Sequence, residues 1–319
     1  MQLVVAEGAM LEEILDATCP IWNEGLTRAA YGRWNGAQMQ TAWGRAHLRR
    51  FALVDDGGRW VASAKRYRLP VRFDDRDGWM CGLGAVFSRP GERGRGHATA
   101  IVEHLVVRSQ EEGALVAGLF SEIGEPFYRR CGFETVPLDE VTVQVVPMAG
   151  SPAMLVRSGE DRDLPAVASM HERRSEGVRF ALRRDPPLIQ YALSKKRLLA
   201  GLSGNGTRHA EFFVAEEGSS AVAYVVLSAS LGGWTLEEGG DRDPAGARLG
   251  ALLQALVARE PSHAAPLIRA WWPPAFPVPP QVRLVDRVPA RDIFMLRPLS
   301  DLAIPSRAED VFYWHSDYV

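Results

Sequence analysis

Cysteine is scarce in this chain: three residues, Cys19, Cys81 and Cys131, lie far apart in 319. An odd, scattered set without a Cys-x-x-Cys pair excludes a disulfide framework and a zinc knuckle; it fits thiols of a reducing compartment, so a cytoplasmic location is expected. Histidine is thin as well, seven residues with no His-x-x-x-His spacing, and no metal is expected. No apolar run approaches the length of a membrane span, so no membrane partner is expected. The opening stretch Met1–Glu7 lacks the basic and apolar regions of a secretory signal. An excess of one charge is also missing. Lys and Arg number 37 against 39 Asp and Glu, a formal net charge of −2, which argues against a nucleic-acid partner held by bulk electrostatics. What remains is an ordinary globular composition, 46% hydrophobic and 24% charged, at a length that suits two domains.

The most informative stretch runs Val86-Phe87-Ser88-Arg89-Pro90-Gly91-Glu92-Arg93-Gly94-Arg95-Gly96-His97-Ala98. It reads as an apolar strand, a breaker turn and a glycine-arginine loop that opens onto a helix. The helix pattern follows at once, with apolar pairs at 101/102 and 105/106, and Gly113 closes it. A helix entrance carries unpaired N–H groups and a partial positive charge, and so receives phosphate well. Gly94 and Gly96 allow close backbone approach, while Arg93 and Arg95 add charge. The competing reading is a tight turn with solvated arginines. Beyond the helix, Ala114–Phe120 reads as a buried strand, followed by Ser121-Glu122, a turn at Gly124–Pro126 and Phe127-Tyr128-Arg129-Arg130-Cys131-Gly132-Phe133.

Together these motifs resemble those of the GNAT superfamily of acyl-CoA-dependent N-acetyltransferases. Its loop Arg/Gln-x-x-Gly-x-Gly/Ala is matched by Arg93, Gly96 and Ala98, and its aromatic pair, basic run and Gly-Phe by residues 127–133. The resemblance implies an α/β (α+β) fold: a mixed, splayed, mostly antiparallel sheet flanked by helices. It also implies acetyl-CoA as co-substrate and a small-molecule amine as acceptor.

Along the chain, short strands and helices are expected at 2–6, 10–26, 38–48, 51–54, 60–73 and 80–88. Asp55-Asp56-Gly57-Gly58 marks a hairpin. Residues 147–152, rich in breakers, are the expected linker, and beyond them the order of elements partly repeats. The second block reads as a degenerate GNAT-like domain: Gly239-Gly240-Asp241-Arg242-Asp243-Pro244-Ala245-Gly246 stands where the cofactor loop belongs, and its aspartates would repel a diphosphate. The expected division is a catalytic domain at 1–148, a degenerate domain at 149–297 and a docked tail at 298–319, whose last residues hold four aromatics, Phe312, Tyr313, Trp314 and Tyr318.

Acyl transfer from a thioester to an amine requires a held pantetheine arm, a polarised carbonyl, a neutral amine and a protonated leaving thiolate. The resemblance implies that Val86, Phe87 and Ser88 hold the arm and supply the oxyanion donor from the backbone. Amides from Gly94, Arg95, Gly96, His97, Ala98 and Thr99 would take the diphosphate, with Arg93 and Ser121 completing the cofactor site. The His97 side chain is expected to face solvent or the adenosine phosphate. Tyr128 is the expected general acid, because a phenol stays protonated at neutral pH and can donate to a strongly basic thiolate. For the base, Glu122 and the Val319 carboxylate are the candidates. Ser121-Glu122 is similar to a run in tandem-domain GNAT enzymes that acetylate aminoglycosides, although their sterol-carrier-like domain is not expected here, a departure that weakens the case for the Val319 carboxylate. Ser-Glu-Ile-Gly-x-x-Phe-Tyr is similar to a run of fungal lysine N6-acetyltransferases. The acceptor therefore stays open among a free amino acid such as lysine, an aminoglycoside and a polyamine. A non-catalytic acyl-CoA-binding module and a protein lysine acetyltransferase are the alternatives. Oligomeric state is not legible.

Overall fold

A computed structural model describes residues 1–150, 154–204, 206, 208–261 and 266–318. From the N-terminus the chain runs β1 (Gln2–Val5), α1 (Gly8–Trp22), α2 (Arg28–Gln40), α3 (Ala42–His47), β2 (Leu48–Val54), β3 (Trp60–Phe73) and β4 (Arg76–Ser88). Next come α4 (His97–Glu111), β5 (Val116–Ser121), α5 (Pro126–Arg130), β6 (Glu134–Thr135) and β7 (Asp139–Val145). The second half begins β8 (Leu155–Ser158), α6 (Leu164–Ser175), β9 (Phe180–Leu182), α7 (Pro186–Leu202), β10 (His209–Glu217), β11 (Ser220–Ser230) and β12 (Gly233–Asp241). It continues through α8 (Ala247–Ala258), β13 (Ile268–Ala270), β14 (Val282–Pro289), β15 (Ile293–Pro298) and β16 (Val311–Phe312). No helix among the described residues is long and apolar enough to cross a membrane.

The chain folds into two compact units, one of Met1–Val136 with Asp292–Ser306 and one of Pro137–Arg291 with Arg307–Tyr318. In the first, the strand order is β1-β2-β3-β4-β5-β15-β6. All neighbours are antiparallel except β4 and β5. The second unit repeats the plan as β8-β10-β11-β12-β13-β7-β14, again with one parallel pair, β12 and β13. Both are mixed, mostly antiparallel sheets flanked by helices, as the resemblance implies.

The units do not divide where the sequence reading placed the breaks at 148 and 297. The sixth strand of each sheet comes from the other half of the chain: β15 pairs with β5 and β6, and β7 pairs with β13 and β14. Consecutive strands are usually neighbours, and that expectation put β7 in the first domain. A short alternating strand such as Val141-Thr142-Val143 satisfies any open edge with a free apolar face, so its own residues do not choose the edge. The tail divides as well. Residues up to Ser306 lie with the first unit and Arg307–Tyr318 with the second.

Within the first unit, Ile101, Val102, Leu105 and Val106 of α4 share one core with Phe51, Leu53, Ala62, Ala64, Cys81 and Leu83 of the sheet. Each such side chain contributes roughly 1.5–3 kcal/mol by burial. The other face carries Ala52, Val54, Trp60 and Phe87 against Ile14 of α1. The sequence reading missed most of α2. Its polar, glycine-bearing run Tyr31-Gly32-Arg33-Trp34-Asn35-Gly36 has low helix propensity, yet the Thr27 hydroxyl caps it by accepting from Ala30 N–H at 3.2 Å, and Tyr31, Trp34, Asn35 and Gln38 are buried. In the second unit, Leu249, Leu252, Leu253 and Leu256 of α8 pack with Val225, Leu227 and Leu236. β16 joins β9 in parallel, and Phe312, Tyr313 and Trp314 are fully buried.

Candidate active site

Geometry at the end of β4 begins with a bulge. Ser63 pairs with Phe87 but Lys65 pairs with Gly84, so Ala64 faces two residues, Ala85 and Val86. Ala85 adopts a left-handed φ of 48°, a strained state for a residue with a Cβ. The parallel ladder between β4 and β5 stops just there, at Leu83 opposite Leu119, although the strands run on to Ser88 and Ser121. They part beyond that point. Val86, Phe87 and Ser88 thus lie beyond the end of the ladder with β5, an edge that suits the addition of an extended ligand.

The loop then turns onto α4 through Gly94 (φ 79°) and Gly96 (φ 82°). Both angles are costly for any other residue. Gly96 is the N-cap, no side chain caps it, and the first turn of α4 contains no acid. The N–H groups of this entrance are the uncompensated donors that a diphosphate would meet. Arg93 lies over the Phe87 ring at 5.7 Å. Arg95, expected to serve an anion, instead pairs with Glu92 at 2.9 Å, and Glu92 also takes Arg59 at 3.0 Å. The His97 side chain departs from expectation too: it turns inward, buried, with Nε2 3.6 Å from Glu92. Glu92 thus ties the loop to the β2–β3 turn and to α4, a role its sequence position did not reveal. Ala85 was equally unremarked, the only signal being the small residues Gly82 and Gly84 before it.

Tyr128 sits on α5 with its ring edge-on to Phe127 (4.8 Å) and Phe133 (6.0 Å), and it is buried. Burial pushes its phenol well above the ordinary value, and charge on Cys131 and Glu122 pushes it further. The phenol is held protonated at neutral pH, the state of an acid. Glu122, exposed at the end of β5, is near enough for its charge to act on Tyr128. The Ser121 hydroxyl donates to Gly124 O at 2.7 Å, so its proton shapes the turn. Val319 lies outside the described residues. Cys81 and Cys131 are buried; burial raises the Cys81 thiol to about 11, which removes it as a nucleophile at neutral pH, and shifts the Cys131 thiol in the same direction.

These observations meet in the comparison with known proteins. Residues 19–136 match the GNAT acetyltransferase domain family. That stretch of the first unit is similar to a GNAT acetyltransferase domain. No curated protein matches the chain by sequence. Among solved structures, a GCN5-related N-acetyltransferase from Kribbella flavida superposes with a TM-score of 0.69 at 19% identity, over 93% of this chain and 70% of that one. A probable N-acyltransferase from Enterococcus faecalis gives 0.68 at 14% identity, over 93% and 72%. Eis1 from Mycobacterium abscessus gives 0.59 at 13%, over 94% and 74%. The family match over residues 19–136 lies within the first unit, and the solved structures share the fold over more than nine-tenths of the chain.

Proposed function

We propose that the first unit transfers an acetyl group from acetyl-CoA to a primary amine of a small molecule. The observation that carries this reading is the conjunction, at one end of β4, of a wedge between β4 and β5 and an uncapped glycine entrance to α4. In this reading the wedge receives the pantetheine arm along Val86, Phe87 and Ser88, and the amides from Gly94 to Thr99 receive the diphosphate. A main-chain N–H freed by the bulge polarises the thioester carbonyl. The amine nitrogen attacks the carbonyl carbon as the carbon–sulfur bond breaks. Glu122 takes the ammonium proton through water before the attack, Tyr128 gives its proton to the departing sulfur, and the proton that the acylated nitrogen then sheds restores the Tyr128 phenol. The second unit shapes rather than catalyses.

The test is thiol release from acetyl-CoA in the presence of an amine panel, alongside equilibrium binding of acetyl-CoA. Turnover that a Tyr128→Phe variant loses while still binding acetyl-CoA supports the reading. Binding without turnover reduces the unit to a cofactor-binding module, and turnover untouched in the variant removes Tyr128 as the acid.

A further inference from the structure

The first unit buries a cation that no carboxylate balances among the described residues. Arg50 on β2 is 2% exposed, and neither Nη1 nor Nη2 has a hydrogen-bond partner among the described residues. The titratable groups that act on it are two phenols, Tyr31, which also offers it a weak side-chain hydrogen bond, and Tyr67, and no carboxylate. A guanidinium does not escape by losing its proton, so a buried and unpaired one is strongly disfavoured. Two further polar atoms of the first unit are buried without a partner: Ser63 Oγ on β3 and Asn35 Oδ1 on α2, one helical turn from Tyr31, whose carbonyl accepts from the Asn35 amide.

Strand register gathers these groups. Arg50 stands opposite Lys65, Ala52 opposite Ser63 and Leu48 opposite Tyr67. Alternation therefore turns Arg50, Ser63, Lys65 and Tyr67 to one face, the face of the α1 core rather than that of α4. On the next strand Ser63 and Lys65 face Phe87 and Gly84, so they bracket the Ala85–Val86 bulge. The Lys65 ammonium lies 5.9 Å from the Trp34 ring, and Lys65 is partly exposed, linking the cluster to solvent.

We infer that Arg50 and Lys65 receive a carboxylate of the acceptor, making the substrate an amine that is also an acid: an amino acid rather than a polyamine or an aminoglycoside. The inference rests on the amine-acetyltransferase reading above. A carboxylate matches the two parallel donors of a guanidinium and settles one positive charge with one negative. Asn35, Tyr31 and Tyr67 supply polar company, and two adjacent cations oppose a polycation.

Thermal shift and thiol release are measured with lysine and ornithine, their decarboxylated counterparts cadaverine and putrescine, and phosphoethanolamine, in wild type, Arg50→Met and Lys65→Met. The amino acids should stabilise wild type and be turned over with a KM roughly 10- to 100-fold below that of the diamines. Arg50→Met should abolish that preference, keep acetyl-CoA binding and, as an unpaired buried charge removed, melt higher than wild type without ligand. Lys65→Met should weaken the preference. Equal handling of amino acids and diamines, a preference for phosphoethanolamine, an unaltered preference in Arg50→Met, or silence of the whole panel overturns the inference. Failure of the acetyltransferase reading looks different: loss of acetyl-CoA binding, or turnover indifferent to Tyr128→Phe.

Discussion

The two helix entrances of this protein, α4 in the first unit and α8 in the second, start from one plan and end in opposite states. Each follows a strand that bulges against its hairpin partner: in β12, Glu237 is the extra residue between Leu236 and Glu238. In each, the parallel ladder stops at the bulge, at Leu83 in one and at Leu236 in the other. Each helix is entered through a left-handed glycine, Gly96 or Gly246. At α4 the donors are left open. At α8 the chain fills them itself: Asp241 accepts from Leu249 N–H and from Asp243 N–H, both at 2.8 Å, and Asp243 accepts from Ala245 N–H at 3.0 Å. Arg174 adds hydrogen bonds to the carbonyls of Asp241, Asp243 and Pro244. A Cβ on Gly246 would meet Pro279 at 3.3 Å. The lesson is that a phosphate-type entrance is disarmed from within, by carboxylates that satisfy the same amides a diphosphate would use.

The largest expected effect separates the units by chemistry. Tyr128→Phe should lower kcat by about two to three orders of magnitude with the acetyl-CoA Kd unchanged, a general-acid effect, measured by steady-state kinetics and calorimetry. A graft of the second state onto the first comes next. Ala98→Asp sets an acid into the open entrance of α4 and should weaken acetyl-CoA binding by roughly 10- to 100-fold. It should leave the melting temperature level or higher, because an acid near a helix N-terminus is favourable by roughly 0.3–1 kcal/mol. An unchanged Kd would mean that the diphosphate is held elsewhere. The reverse change, Asp241→Ala, strips the internal occupant from α8 and should cost about 1–2 kcal/mol in denaturant unfolding without creating a second acetyl-CoA site.

The smallest effect is a pH slope. His171 in α6 is fully buried with Nε2 3.0 Å from Leu182 O, and burial, helped by Arg184, holds its imidazole down to about 3 against an ordinary 6.5. Its folded value is depressed, so the unfolded chain binds the proton first, and stability is lost as pH falls from about 6.5 toward 3. The slope is at most about 1.4 kcal/mol per pH unit. Asp317, raised by burial to about 6 from 3.8, tilts the other way in that window: its folded form binds the proton first, and stability falls as pH rises. The wild type minus His171→Gln difference in unfolding free energy between pH 7 and 5 isolates the imidazole, and a flat difference would show that it binds its proton equally well in the folded and unfolded chain.

Much of the site was legible in the residues. Gly94, Gly96 and Ala98 before an apolar 3.6-residue period can hardly be anything but a loop into a helix, and Tyr128 follows at the spacing that the resemblance requires. Glu92 was not legible, because its three basic partners come from the β2–β3 turn, from its own loop and from α4. Arg50 was not either: on sequence it is one of several arginines, and its isolation exists only once α1 and α2 close over it. In the second block the aspartates were read as repelling an anion, and the structure shows them bonded to the amides that an anion would take.

Local order, then, came from the chain itself. Periodicity, glycines and turn residues act over a few neighbours, and they fixed the elements, the open loop of the first half and the acidic loop of the second. Tertiary structure decided which edge each strand joined, so that β7 and β15 trade places, and which polar side chains were left buried without partners. Both depend on pairings between residues far apart in sequence, and a short apolar strand or a single arginine carries no local mark of the partner that it will meet.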